Sequence, residues 1–407
     1  MNNNSAKTHE KTLKKKEQEM QKQKHLPIED HGIIGDMRTA AIVGKNGSID
    51  WFCYPRFDAP SIFANILDTE KGGSFSIHPT IKEDDGNNKH DDNDHIIYRQ
   101  FYWPETNVLV TRFTCHSGVA EVRDFMPVNE GKGDNHVTQI VRQVVCVQGQ
   151  NMSLTVRCAP AFDYARGEHM VALCSSSGDS NEQQTCATFK NDAFTMVLSA
   201  AIPLEAHDNG EVHATFCLSQ GECTTFTFRE HKEAIPILPL TAEQSRNLFT
   251  ETVRFWRKWL SRCTYTGRWR ERVYRSALVL KLLTYQPTGA IIASPTCSLP
   301  EDIGSVRNWD YRYVWIRDAA FTLYGFLRIG FTDEARDFMY WLMARAREGD
   351  TEVGPLQPLY GIGGESATPE STLDHLSGYQ QSQPVRIGNA AYQQLQLDVY
   401  GELMDAV

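Results

Sequence analysis

Apolar and polar side chains alternate with a period of two through much of residues 26–235. The alternation is strict over residues 212–218, and similar runs fall at residues 108–115, 137–147, 152–158 and 193–200. This period is typical of strands that bury one face, and many short strands between turn residues indicate an antiparallel β-sandwich. Asn46-Gly47 separates two such runs, and both positions favour positive φ, so it predicts a two-residue hairpin turn. Polar runs at residues 83–95 and 175–184 are predicted to be loops of that sandwich.

After residue 241 the apolar positions recur at the helical period instead. Apolar stripes follow residues 248–260 and 273–283, and further helices are predicted at residues 318–330 and 332–347. A last helical pattern covers roughly residues 390–407. Prolines just after residue 235 preclude regular helix, so residues 236–245 are interpreted as a linker. Residues 246–407 are therefore predicted to form a separate helical domain.

Composition and charge argue against several classes of protein. The 407 residues include 41 Lys and Arg against 51 Asp and Glu, a net charge of −10, whereas nucleic-acid binding needs a basic face. No run of eighteen apolar residues occurs, so no membrane span is expected. Residues 1–25 are lysine-rich and polar, which predicts a disordered tail rather than a secretory signal. Ten cysteines without a CxxC pair fit reduced thiols in a cytoplasmic protein, and no metal or other cofactor is expected.

Residues 308–321 form the most informative segment of the chain. Aromatic and charged side chains are interleaved there: Trp309, Tyr311, Tyr313 and Trp315 with Asp310, Arg312, Arg317 and Asp318. Aromatic faces beside charged hydrogen-bonding groups suit a sugar, which has apolar C–H faces and a rim of hydroxyls. The same residues also suit a tightly packed helix start with an internal ion pair, because Trp and Tyr are more often core than ligand contacts. The local pattern leaves both interpretations open.

Several longer stretches resemble the bacterial-type members of glycoside hydrolase family 15, the glucoamylase and trehalase-like enzymes. Residues 28–41 and 47–58 are similar to the trehalase-like N-terminal domain of such proteins. Residues 288–301, 308–318 and 386–401 are similar to segments of the family's helical domain. The resemblance implies a multidomain β and α protein, with an N-terminal antiparallel β-sandwich followed by an (α/α)6 barrel.

The resemblance also implies an inverting exo-α-glucosidase that releases glucose from a non-reducing end. Two carboxylic acids would do this work about 6.5–9.5 Å apart, one protonating the leaving oxygen and the other activating water. The family's Tyr-x-x-x-Trp-x-Arg-Asp pattern falls on Tyr311, Trp315, Arg317 and Asp318. By resemblance, Arg317 and Asp318 would bind hydroxyls of the terminal glucose, while Trp315 and Tyr311 would line the pocket. The expected substrates are trehalose, maltose and maltooligosaccharides.

The chain also departs from the family's pattern. In the family both catalytic glutamates follow the segment that resembles residues 386–401, and the acid lies in a Trp-Glu motif. No Trp of this sequence precedes a Glu, so no catalytic residue is assigned and the glutamates are expected beyond Val407. The carboxylates Glu301, Glu365, Glu370 and Glu402 match no catalytic position.

The number of predicted helices leads to a related expectation. A closed (α/α)6 barrel has twelve helices, and about five are predicted here, so the barrel is expected to be incomplete. The chain is then expected to be a fragment that is inactive alone, whose exposed apolar helix faces would permit self-association. Two alternatives remain: a non-catalytic protein that binds α-glucan or trehalose, and an unrelated helical-barrel enzyme such as a sugar epimerase. The similarity to the N-terminal domain argues against the last.

Overall fold

The computed structural model describes residues 25–80, 96–128, 136–175, 184–232, 235, 237–348 and 356–406. The tail predicted at residues 1–25 lies outside the described residues except for His25. The predicted loop at residues 83–95 and nearly all of the one at residues 175–184 also lie outside them. Within the described part of the chain, no helix is both long and apolar enough to cross a membrane.

Sixteen strands make up the first half of the described chain. They are His31–Gly35 (β1), Ala40–Gly44 (β2), Ser48–Cys53 (β3), Ser61–Phe63 (β4), Ser74–Pro79 (β5), Ile97–Tyr102 (β6), Leu109–Cys115 (β7), Gly118–Phe125 (β8), Gln139–Gly149 (β9), Met152–Ala159 (β10), Met170–Ser175 (β11), Gln184–Lys190 (β12), Thr195–Ala200 (β13), Glu205–Ala206 (β14), Val212–Leu218 (β15) and Cys223–Glu230 (β16). The strands predicted from alternation correspond to β7, β9, β10, β13 and β15.

The strands form two eight-stranded antiparallel sheets that pack on each other. One has the order β1-β2-β3-β5-β10-β15-β14, with β4 beside β3, and the other has the order β11-β12-β13-β16-β9-β8-β7-β6. Their facing side chains share one core, in which Phe63 and Phe228 have ring centroids 5.4 Å apart. Buried aromatic pairs of this kind contribute about 0.5–1.5 kcal/mol beyond their burial. The prediction of an antiparallel β-rich N-terminal region is confirmed.

The hairpin predicted at Asn46-Gly47 is present, but its turn differs from the prediction. Val43 pairs with Ile49, and the amide of Gly47 donates to the carbonyl of Gly44 at 2.9 Å. Of the turn residues, Gly47 has positive φ, +84°, and Asn46 does not. The connection is therefore a three-residue loop that ends in a left-handed glycine, a common alternative to the two-residue turn.

Five α-helices follow the sheets in the described residues. They are Ala242–Leu260 (α1), Arg270–Leu282 (α2), Ile316–Arg328 (α3), Thr332–Glu348 (α4) and Asp398–Ala406 (α5). The first begins inside the segment interpreted as a linker, because Thr241 and Gln244 form a reciprocal capping box, which satisfies two backbone donors at a helix start. Phe321, Tyr340 and Met404 are each more than 60% exposed on these helices. The barrel arrangement, its incompleteness and self-association remain predictions.

A helix was predicted over roughly residues 390–407, and the helix observed at the end of the described chain is shorter. Ala390–Gln393 forms a single 3-10 turn, and α-helix begins at Asp398. The side chain of Asn389 accepts a hydrogen bond from the amide of Ala391 at 3.0 Å. That cap starts the short turn, and Gln394 is already extended, so the helical pattern of the sequence is interrupted.

The sheets and the helices share buried surface. Met37 from the loop after β1 lies in the same core as Trp256 and Leu282 of the helices. Trp51 of β3 donates its indole N–H to the carbonyl of Pro295 at 2.8 Å. The second contact holds the loop at Pro295 against the first sheet.

Candidate functional site

Residues 308–318 run through two short strands into a helix. Asn308–Asp310 (β18) pairs with Cys297–Pro300 (β17), and Val314–Trp315 (β19) pairs with Leu359–Tyr360 (β20). Helix α3 begins directly after β19, so Arg317 and Asp318 lie in its first turn. A carboxylate in the first turn is favoured by the helix dipole.

The charged pair Asp310 and Arg312 is structural. Both side chains are at most 1% exposed, and they meet in a two-point ion pair with distances of 2.9 and 2.6 Å. The Arg312 guanidinium also donates to the carbonyl of Ala59 and to the hydroxyl of Tyr164, each at 2.8 Å. The interpretation of an internal ion pair thus describes this half of the segment, and the pair joins it to the β-rich region.

The segment that begins with Arg386 packs against the same pair. The amide of Gly388 donates to the Asp310 carboxylate at 3.1 Å, and the side-chain amide of Asn389 donates to the Asp310 carbonyl at 3.0 Å. Gly388 has φ +76°, and a Cβ there would collide with the carbonyl oxygen of Pro369. Two stretches whose contacting residues, Asp310 and Gly388, are 78 positions apart in the sequence are therefore held together.

Arg317 and Asp318 line a cavity of about 370 Å³. Its other walls are largely apolar and come from α2, from the loop that follows it and from α3: Leu280, Leu283, Ile291, Ile292, Ala293, Ala319, Phe321 and Thr322. This volume lies within the usual range for small-molecule sites, and an apolar lining with a few polar groups is typical of them.

The two charged side chains in this cavity differ in their partners. Arg317 is paired with Asp398 at 2.8 Å and also donates to the side-chain oxygen of Gln396 at 3.3 Å. Its hydrogen bond lowers the pKa of the exposed Asp398 carboxyl. Partial burial raises the pKa of the Asp318 carboxyl, although the nearby positive charge of Arg317 opposes the rise. The residue as a whole is more than a third exposed.

Tyr311 and Trp315 form a separate aromatic pair beside the helix start. Their ring centroids are 6.0 Å apart, and the Tyr311 hydroxyl donates to Glu301 at 3.1 Å. Burial, together with this carboxylate, raises the pKa of Tyr311 to about 12. The indole N–H of Trp315 is buried and has no hydrogen-bond partner among the described residues. Of the four residues predicted to bind sugar, Arg317 and Asp318 share the cavity, while Tyr311 and Trp315 contact each other with their ring planes tilted by 54°.

Three of the four glutamates that were left without a role are held by arginines. Glu301 is paired with Arg307 at 3.3 Å, Glu365 with Arg56 at 3.1 Å and Glu370 with Arg386 at 3.2 Å. In the described part of the chain, no group of three or more His, Cys, Asp or Glu side chains could hold a metal ion. No acid or base role is assigned to any of these carboxylates.

Sequence reasoning missed both the apolar walls of the cavity and the partner of Arg317. Asp398 lies within residues 386–401, a stretch already singled out, so its position could have suggested a role. Leu280 and Ile291 carried no such signal, because an apolar residue on a helix or in the adjoining loop is expected to be core whatever it faces.

Comparison with known proteins agrees with this architecture. Residues 267–407 match the family described as glycosyl hydrolases family 15, and residues 14–180 match the trehalase-like N-terminal family. A trehalase of Mycolicibacterium smegmatis is 34% identical over 397 residues, which cover 94% of this chain and 56% of that protein. A trehalase of Thermoplasma volcanium is 34% identical over 384 residues, covering 93% and 56%. A trehalase of Mycobacterium tuberculosis is 32% identical over 398 residues, covering 93% and 55%.

These matches confirm the predicted relationship: the chain belongs to glycoside hydrolase family 15 and carries a trehalase-like N-terminal domain. It spans about half the length of the curated relatives it matches. Among solved structures, a family GH92 alpha-mannosidase from Bacteroides thetaiotaomicron aligns with 59% of this chain and 35% of its own. Its TM-score is 0.32 and its sequence identity 10%, which is too weak a likeness to carry an argument.

Proposed function

We propose that the protein functions in the cleavage of trehalose, as an inverting glycoside hydrolase that recognises a terminal α-linked glucose. The proposal is supported by the family to which the chain belongs and by relatives that are each named trehalase. Maltose and maltooligosaccharides present the same terminal glucose and are the competing substrates.

The proposal depends on one observation: Arg317 and Asp318 line the same cavity, and the other walls of that cavity are largely apolar. Trehalose is uncharged and carries hydroxyls that can both donate and accept hydrogen bonds. Asp318 would accept from one hydroxyl and Arg317 would donate to another, and charged groups make such bonds roughly twice as strong as neutral ones. Leu280 and Ile291 would exclude water from the sugar's C–H face.

Binding to trehalose tests this assignment directly. Isothermal titration calorimetry with the 407-residue chain should show binding that weakens about 10- to 100-fold in Asp318→Asn and in Arg317→Ala, since a hydrogen bond to a charged group contributes about 1.5–3 kcal/mol. Arg328→Ala is the matched control, because Arg328 is exposed on the same helix and bonds the Tyr324 hydroxyl at 2.7 Å. Unchanged affinity in both site variants would refute the assignment.

Glucose release measured in the same samples separates cleavage from binding. Turnover that is lost in Asp318→Asn supports hydrolysis. Binding without any turnover is expected of a chain that is inactive alone, and it agrees equally with the second candidate, a protein that binds trehalose or α-glucan and does not cleave it. Titration with maltose and maltotriose in parallel identifies which α-glucoside the cavity prefers.

A further inference from the structure

A second cavity, of about 760 Å³, opens at one end of the two packed sheets. Three segments build it: residues 54–62 between β3 and β4, residues 162–170 after β10, and the turn at residues 190–194 between β12 and β13. It shares no lining residue with the cavity of Arg317 and Asp318. Its volume is also within the range of small-molecule sites.

Aromatic rings form one wall of this sheet-end cavity. Phe194 is half-buried, and its ring centroid lies 5.3 Å from that of Tyr54 and 5.8 Å from that of Phe162. The turn that presents Phe194 is fixed, because the side chain of Asn191 accepts hydrogen bonds from the amides of Ala193 and Phe194 at 2.9 and 2.8 Å. A rigid, partly exposed ring of this kind offers a flat apolar face to a ligand.

Ser61 gives the cavity an unused hydrogen-bonding group. The residue is 1% exposed and lines the cavity, and its hydroxyl has no hydrogen-bond partner among the described residues. Buried hydroxyls are nearly always paired in folded proteins, so this one indicates that a polar ligand or water binds there.

The rim of the cavity is mostly acidic. Asp163, Glu168 and Asp192 outnumber Lys190, the one lysine of the lining, although Asp163 is itself paired with Arg166 at 2.7 Å. Such a rim disfavours an anionic ligand and can accept hydrogen bonds from hydroxyls. Aromatic wall, buried hydroxyl and acidic rim together suit an uncharged polyhydroxy compound.

The backbone beside the rim adopts a rare conformation. Asp163, Tyr164 and Ala165 have φ values of 51°, 56° and 63° in succession, which is the left-handed region that residues other than glycine seldom occupy. The turn is held from both sides: the Tyr164 hydroxyl accepts from Arg312 at 2.8 Å, and the Tyr164 carbonyl is 2.8 Å from the His375 ring nitrogen. Strained backbone that the surroundings hold in place clusters at active sites, ligand clamps and switch regions.

We propose that the sheet-end cavity is a second carbohydrate site that takes a neutral glucosyl unit. The sugar would place its C–H face on Phe194 and exchange a hydrogen bond with Ser61, while its outer hydroxyls donate to the acidic rim. This site is independent of the one proposed for Arg317 and Asp318, and it needs no catalytic group.

The test uses the full chain carrying Asp318→Asn, which should weaken binding at the first site about 10- to 100-fold, and titrates it with trehalose and with maltotriose. We expect remaining one-site binding that Ser61→Ala and Phe194→Ala each weaken about 2- to 10-fold, as for the loss of one neutral hydrogen bond or one aromatic contact. Ser61→Ala should weaken binding without lowering the urea midpoint, because its hydroxyl has no hydrogen-bond partner in the described part of the chain. Phe101→Ala, which removes a ring that is 39% exposed on β6, is the control and should leave the affinity unchanged.

Each outcome decides between the two sites. If Asp318→Asn abolishes all sugar binding, the second site is refuted and the proposed function stands. If binding remains but is indifferent to Ser61→Ala and Phe194→Ala, the second site is refuted as well. Sugar binding that is lost when Ser61→Ala or Phe194→Ala is made in the wild type, and that is unaffected by Asp318→Asn, would support the sheet-end cavity and overturn the proposed function. No heat with either sugar at millimolar concentration would refute both.

Discussion

Replacing Arg312 by Met should destabilise the protein more than replacing any exposed arginine. Arg312 is buried in a two-point pair with Asp310, and its guanidinium also bonds Ala59 and Tyr164. Methionine would fill much of the volume of the arginine side chain. It would leave the Asp310 carboxylate buried, and the amide of Gly388 would be its main remaining partner from a distant part of the sequence. Removing one partner of a buried pair costs about 3–5 kcal/mol, a large share of the 5–15 kcal/mol by which typical domains are stable.

Urea unfolding followed by tryptophan fluorescence and far-UV circular dichroism measures this cost. The matched control is Arg336→Met, because Arg336 is paired with Asp333 at 3.0 Å where the side chains are 57% and 48% exposed. Exposed pairs contribute about 0–1 kcal/mol, so the control should shift the midpoint little. The double variant Arg312→Met with Asp310→Asn should cost less than the sum of the single variants, because the two residues are coupled.

A different result would contradict the argument. If Arg312→Met cost less than about 1 kcal/mol, like the exposed control, the buried pair would not hold the segment in place. Likewise, if the free-energy cost of the double variant equalled the sum of the costs of the single variants, Asp310 and Arg312 would act independently. An unchanged dependence of stability on urea concentration should accompany the expected loss, since it shows that the unfolded state has not changed.

Two further substitutions test the packing around the site and its pH response. Gly388→Ala should lower the free energy of unfolding by more than Gly304→Ala. Both glycines have positive φ, but a Cβ at residue 388 would collide with the Pro369 carbonyl, whereas a Cβ at residue 304 meets no atom. Equal urea midpoints for the two variants would exclude a steric cause. Burial lowers the pKa of His31, but the hydrogen bond and charge of Asp50 outweigh it, so the folded-state pKa is raised above 6.5. The stability contributed by this pair should be complete below pH 6.5 and lost as pH rises through the raised pKa. The difference in unfolding free energy between wild type and His31→Gln should therefore shrink from pH 6 to pH 9, and a difference constant across that range would contradict it.

The β-rich region was predictable because its signal is local. Strand β15 reproduces the alternation of residues 212–218 position by position, since one face packs on the core and the other does not. The hairpin loop was predicted one residue too short, because the sequence cannot show that Lys45 joins Asn46 and Gly47 in the turn. The last helix was predicted too long, because the helical pattern does not show that Asn389 caps a separate short turn. The position of Asn389 depends on its hydrogen bond to Asp310, which is distant in the sequence.

The candidate site was predictable only in part, for the same reason. Arg317 and Asp318 follow from a motif of adjacent residues, whereas their cavity depends on Leu280 and Ile291, which any helical core would contain. The sheet-end cavity had no sequence signal. It depends on three turns brought together by the two sheets, and on the hydrogen bond from Arg312 to Tyr164, 148 residues away.

The aromatic and charged stretch at residues 308–321 therefore has two structurally different halves, divided at Tyr313. On its N-terminal side, Asp310 and Arg312 are buried and tie the segment to the β-rich region and to Gly388. On its C-terminal side, Arg317 and Asp318 begin a helix and face a cavity. The core interpretation describes the first half, and the ligand interpretation of the second half is a proposal; rigid anchoring of the first half would hold the charged groups of the second half in a fixed position.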